Sequence, residues 1–232
     1  MLVFDLNIEI AFAILSGLLQ ALGYFVYVKK TLANEINPNP TSWLMWSYGT
    51  ALVLILEWSH NASAAMLVLP AVCSISSMVV AFICSRRGTF KWPNETSDKI
   101  ALYTDLTLTL TFIIIWILVS VQILDVGQQE VANISLLVIG ATSSIITFVP
   151  LIRNTWGNPN DEHWIMWAIW TLAYGFLLLA TILSDHWTWD LAIYPAINCC
   201  LHFTVALLAT RNDHHQIRII AAQELPTGRE LS

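Results

Sequence analysis

Asn198 and His202 stand one helical turn apart on an apolar stretch, and Gln20, Ser143 and Asp105 interrupt three others. Amide, imidazole, hydroxyl and carboxylate groups are costly in hydrocarbon unless they meet a partner or a polar ligand. These five positions are therefore where binding chemistry is expected. Tryptophan adds flat apolar faces for stacking: Trp43 with Trp46 and Trp164 with Trp167 recur as pairs, and Trp170 lies a turn deeper. Covalent chemistry has no such signature. There is no Gly-x-Ser-x-Gly, His-Glu-x-x-His, Cys-x-x-Cys or glycine-rich phosphate loop. An enzyme built on Asp105 or His202 would lack a second catalytic group within evident reach. His186, His214 and His215 lack carboxylates at metal-ligand spacing, so neither metal nor cofactor is expected.

The elements carrying these residues belong in a bilayer. The 232 residues are 56% hydrophobic and 11% charged, with a mean hydropathy of +0.64, whereas soluble domains sit nearer one half and one quarter. Hydrocarbon about 30 Å thick needs roughly 20 apolar residues per helix. Such stretches run from Ile8 to Val28, Ser42 to Trp58, Ala64 to Cys84, Ile100 to Ile123, Ala132 to Ile152, Trp164 to Ser184 and Leu191 to Thr210. The fold class expected is an all-α polytopic membrane protein with seven transmembrane helices. The first stretch is preceded by Asp5 and carries Glu9, with no basic region or small-residue cleavage site, so it reads as a retained helix.

With seven spans, Lys29, Lys30, Arg86, Arg87, Lys91, Lys99, Arg153, Arg211, Arg218 and Arg229, all ten basic residues of the chain, fall on one face. The positive-inside rule makes that face cytoplasmic. The amino terminus is then outside and the carboxyl terminus inside, as in a bacterial inner membrane. The net charge of −6 suggests no nucleic acid as a partner. Cys73, Cys84, Cys199 and Cys200 all lie within spans, where they read as small packing residues.

The chain repeats itself. NPNPTSWLMW at Asn37 to Trp46 returns as NPNDEHWIMW at Asn158 to Trp167, displaced by 121 positions. Gly17, Gln20 and Lys30 pair with Gly140, Ser143 and Arg153 at an offset of 123, and Pro70 pairs with Pro195 at 125, which sets Cys73 opposite Asn198. Each repeat is three helices, 8–87 and 132–211, and the helix at 100–123 links them so that the second inserts the same way up as the first. Two parallel triple-helix bundles leave a cleft on their shared axis. The tail, 212–232, is polar and reads as disordered or surface-lying.

This 3+1+3 arrangement resembles the SWEET, SemiSWEET and PQ-loop transporter superfamily. FVPLIRNTW at Phe148 to Trp156 is similar to its Pro-Gln motif, with Pro150 in the proline slot, and Trp170-x3-Tyr174-Gly175 resembles the pattern of its sixth helix. Leu151 replaces the motif glutamine, and Tyr27-Val28 stands in the first repeat. The resemblance implies a pocket with asparagine on the third and seventh helices and tryptophan on the second and sixth.

The residues expected to touch a solute are thus Asn198, Trp170, Trp167, Trp46, Gln20, Ser143, Cys73 and His202. Pro70, Pro195 and Pro150 are candidate hinges, because proline removes a helical hydrogen bond. Asp105 is the candidate for proton coupling. Trp43 and Trp164 read as an interfacial aromatic belt. Thr104, Thr107, Thr109 and Thr111 make the linking helix polar enough to suggest a partner subunit, such as a second copy. The leading expectation is a facilitator or secondary transporter of a small, sugar-like polar solute. A vitamin or nucleoside carrier resembling those for nicotinamide riboside, and a non-transporting sensory or scaffold protein, are the alternatives.

Overall fold

The computed structural model describes residues 8–59, 64, 66–88, 93–184 and 189–211. The tail at 212–232, with Arg218, Arg229, His214 and His215, lies outside them, as do Lys91 and His186. Seven α-helices run along the described chain: α1 (Ile8–Leu32), α2 (Pro40–Ser59), α3 (Val68–Arg86), α4 (Thr96–Ser120), α5 (Val126–Gly157), α6 (Trp164–Leu183) and α7 (Trp189–Ala209). Their starts carry ordinary capping chemistry. Asp125 and Gln128 form a reciprocal capping box on α5, and the Asn39 carbonyl accepts from the Ser42 amide at 2.9 Å on α2.

Six helices are long and apolar enough to cross a membrane. The seventh, α2, is not among them; Ser42, Ser47, Thr50 and Glu57 dilute its Leu and Val run. Two hydroxyls of α2 bond across to neighbouring helices. Ser42 Oγ donates to the Thr147 carbonyl of α5 at 2.7 Å, and Thr50 Oγ1 meets Ser77 Oγ of α3 at 3.0 Å. The outer surface is the reverse: Leu18, Phe25, Phe82, Leu110, Ile114 and Leu172 are exposed apolar groups suited to lipid.

Helix neighbours follow a repeating order. α3 packs against both α1 and α2, and α7 packs against both α5 and α6. Across the molecule α1 meets α6 and α2 meets α5, the first contact being much the more extensive. α4 lies on α5 and touches α2, covering the looser seam.

Small residues explain the tight seam. A Cβ on Gly23 of α1 would fall 2.3 Å from Trp170 Nε1 of α6, so glycine is what lets that indole approach and donate to the Gln20 carbonyl at 3.2 Å. Nearer the opposite end Ser16 Oγ donates to the Ala173 carbonyl at 2.7 Å, and the Phe12 and Phe176 rings stack at 5.5 Å.

Thr104, Thr107 and Thr111 lie three and four residues apart on one exposed face of α4. Thr107 and Thr111 donate to the carbonyls of Tyr103 and Thr107, one turn back on their own helix, which satisfies them in hydrocarbon. Thr109 turns inward to the central cavity.

The described basic residues gather at one end of the bundle. Arg87 at the end of α3 bonds to Thr31 and Asn34 after α1, Arg153 near the end of α5 bonds to Ser97 and Asp98 at the start of α4, and Arg211 lies 4.8 Å over the Trp156 ring. There the loops of the two repeated motifs also meet, with the Asn37 amide donating to the Asp161 carbonyl at 2.9 Å.

Candidate functional site

A cavity of about 60 Å³ lies inside the bundle. Every helix contributes to its wall. α1 supplies Gln20 and Tyr24, α3 Cys73, α6 Trp167, Trp170 and Tyr174, and α7 Tyr194, Asn198 and His202, while α2 and α5 add Trp43, Trp46, Ser143 and Thr147. All eight residues singled out for solute contact therefore border one space. Among the described residues no Lys, Arg, Asp or Glu lines it.

The walls are aromatic and mutually braced. Trp170 packs edge-on to Trp167 at 4.9 Å and tilts against Tyr24 at the same distance. Trp46 meets Phe148 at 4.8 Å, and His202 lies 4.8 Å from Tyr174 and 5.5 Å from Trp167. Such pairs contribute about 0.5–1.5 kcal/mol each beyond the area they bury. The rings thus form a stiff frame.

Polar groups in the frame mostly present acceptors. Asn198 Nδ2 donates to the Tyr194 carbonyl at 2.9 Å, which leaves its carbonyl oxygen and its second N–H for a ligand. His202 Nδ1 donates to the Asn198 carbonyl at 2.7 Å, which leaves Nε2 as the acceptor of the neutral ring. Gln20, 1% exposed, has an amide oxygen with no hydrogen-bond partner. Buried polar atoms are nearly always paired; the amide nitrogen of Gln20 serves Tyr24 and Cys73, and the oxygen is the atom of this wall residue left open to a further donor.

Two of the three hinge prolines, Pro150 and Pro195, lie inside helices. Pro70 is the third residue of α3, where the first helical bond is made by the Ala71 amide to Leu67, so it interrupts nothing. Asp105 is fully buried and outside the cavity wall. Its two oxygens accept from Tyr48 of α2 and Ser143 of α5, each at 2.5 Å, so one carboxylate ties α4 to both helices of the loose seam.

Trp43 corrects the belt reading. It is 1% exposed and packed against Tyr24, Tyr27 and Trp46, whereas its repeat counterpart Trp164 is 37% exposed and fits an interface. The difference arises from α1: two tyrosines one turn apart offer Trp43 faces and a hydroxyl, and Trp43 Nε1 donates to Tyr27 Oη at 3.0 Å.

Sequence reading missed several wall residues that helical spacing could have found. Tyr24, Thr147 and Tyr194 each lie four positions from a residue already chosen, Gln20, Ser143 and Asn198, and so share its face. It also missed Glu162, the counterpart of Thr41 in the first repeat. This carboxylate is 5% exposed and accepts from Tyr27 Oη and Trp167 Nε1, both at 2.9 Å. Burial pushes it up to about 8, opposed by those two hydrogen bonds and assisted by neighbouring Asp161.

No family model, no curated protein and no solved structure matches the chain.

Proposed function

We propose that this integral membrane protein is a facilitator or secondary transporter of a small, uncharged, sugar-like solute that carries hydrogen-bond donors. Two triple-helix repeats, α1 to α3 and α5 to α7, alternate access to the central cavity, with α4 as the link. The observation that carries this reading is the unpartnered Gln20 oxygen in the wall of a charge-free cavity that also takes Asn198. A solute hydroxyl supplies the missing donor, and tryptophan faces take the apolar side of a ring. The neighbour order supports the repeat: α3 sits between α1 and α2 as α7 sits between α5 and α6. The basic end of the bundle is placed in the cytoplasm by the positive-inside rule.

Ligand pockets generally occupy roughly 300–1,000 Å³, so a cavity of about 60 Å³ is a contracted state. Loading a solute requires the halves to part, with Pro195 and Pro150 as the points where the helical ladder already gives way. A planar vitamin or nucleoside is the second reading, favoured by the four tryptophans in the wall. Such a ring quenches tryptophan fluorescence on binding, and a sugar changes it little.

A thermal-shift screen of the purified protein against sugars and nucleosides, followed by uptake of each hit into proteoliposomes, tests the proposal. Asn198→Leu is expected to abolish uptake while the folded yield and melting temperature hold. Undiminished flux in that variant would remove Asn198 from the site. A screen without hits and liposomes without uptake would end the transport reading.

A further inference from the structure

The carboxylate of Glu162 sits where the two halves meet at the basic end of the bundle. It belongs to the short turn before α6, yet its partners come from both halves: Tyr27 from α1 and Trp167 from α6. Tyr27 Oη in turn accepts from Trp43 Nε1 of α2. A single chain of hydrogen bonds, Trp43 to Tyr27 to Glu162 and back from Trp167, therefore spans α1, α2 and α6. Its two tryptophans are also cavity wall. The chain therefore braces two of the cavity's wall residues from behind, through Tyr27 and Glu162, which do not themselves line it.

The neighbours of this carboxylate leave its charge uncompensated. Among the described residues the salt bridges join Lys30 to Glu35 and Arg153 to Glu95 and Asp98, and none reaches Glu162. The titratable groups around it are Tyr27 of α1, with Cys84 of α3 beyond it, and Asp161 of the same turn. α2 and α6 present only indole N–H groups to this cluster, with His163 following Glu162 in the chain.

We infer that Glu162 is the proton-binding site of this protein, and that its protonation reorganises the Trp43–Tyr27–Glu162–Trp167 chain that braces the cavity wall. The inference rests on the transporter reading for its purpose, since it makes the proton a coupled or gating ion. The donors dictate where the proton goes. An indole N–H can only donate, so the oxygen facing Trp167 must stay an acceptor. The proton then settles on the oxygen facing Tyr27. There one hydroxyl meets another, and Tyr27 must turn its own proton away and accept from Glu162 while still accepting from Trp43. In the ionised form Tyr27 donates to the carboxylate that ties α1 to α6; in the neutral form the same contact runs from Glu162 to Tyr27, and the Tyr27 proton is left to find another acceptor. Burial that lifts the group to about 8 puts this exchange close to neutral pH.

Asp105 is differently placed. Both its partners are neutral hydroxyls of the far seam, and its bonds do not cross from α1 to α6.

The test uses the full chain in detergent, with protons as the ligand. Infrared difference spectra and tryptophan fluorescence are recorded from about pH 5 to about pH 9. The wild type is expected to show the carbonyl stretch of a neutral carboxylic acid disappearing with a midpoint near 8, together with a change in tryptophan emission. Glu162→Gln is expected to lose the tryptophan change and its share of the carbonyl loss, the remainder belonging to Glu57 of α2 and disappearing when Glu57→Gln is added; Tyr27→Phe is expected to move the Glu162 midpoint upward, and Asp105→Asn to retain both changes. A tryptophan change that survives Glu162→Gln, carbonyl loss that survives Glu162→Gln combined with Glu57→Gln, or titration that vanishes in Asp105→Asn alone, would overturn the assignment. Should Glu162 titrate as described while no screened solute enters proteoliposomes, the proton site stands and the transport reading fails. Reversed results would leave transport intact and remove this site.

Discussion

At the scale of single residues, the unpaired Gln20 oxygen and the doubly bonded Asp105 make opposite demands. On the proposed transport a solute donor completes Gln20, so Gln20→Leu is expected to weaken solute affinity by about two- to tenfold, the worth of one neutral hydrogen bond, beyond any small fall in melting temperature from losing its bonds to Tyr24 and Cys73. Binding by fluorescence or calorimetry checks it. Asp105 is satisfied from within. Asp105→Ala strands two buried hydroxyls and is expected to destabilise the protein by about 1–2 kcal/mol, read as a lower melting temperature in detergent. Glu162 adds a pH signature. Its acid is raised from the ordinary 4.5 to about 8, so the folded state holds a proton that the unfolded chain releases. The resulting stabilisation is complete below about 4.5 and is lost as pH rises to about 8. Melting curves of wild type and Glu162→Gln should therefore diverge across that interval, the wild type falling relative to the variant.

At the scale of elements, matched glycines report how unlike the two repeats have become. A Cβ on Gly17 would lie 2.3 Å from Val68 Cγ1, where α1 meets α3, while one on its counterpart Gly140 would meet nothing within 4 Å. Gly17→Ala is expected to cost about 1–3 kcal/mol through overpacking. Gly140→Ala, in a helix interior open to the cavity, is expected to leave the melting temperature unchanged or raised. The helices themselves were legible in the sequence, because apolar runs and the NPN motifs mark their limits to within a few residues. The eight wall residues were legible as polar or aromatic exceptions at matched depth. What could not be read was pairing across the molecule. Trp43 and Trp164 occupy the same place in the motif, and only the tyrosines of α1 decide that one is buried. Glu162 was overlooked because it stands in a loop, where a carboxylate is normally solvated and unremarked.

At the scale of the whole molecule, the seams between the halves are unequal. The α1 and α6 seam is extensive, built on Gly23, Ser16 and a buried indole. The α2 and α5 seam is slighter and relies on α4 and Asp105. Hydrogen exchange in detergent is expected to be slowest for α1 and α6 and faster for the facing turns of α2 and α5, since local opening follows packing; equal protection would contradict a division into unequal seams. The carboxylate of Asp105 then works as a clasp and the close-packed glycine seam as a spine. For the proposed transporter, a bundle bound in this way is expected to open like a book, from the fore-edge inward, with the solute arriving past α4.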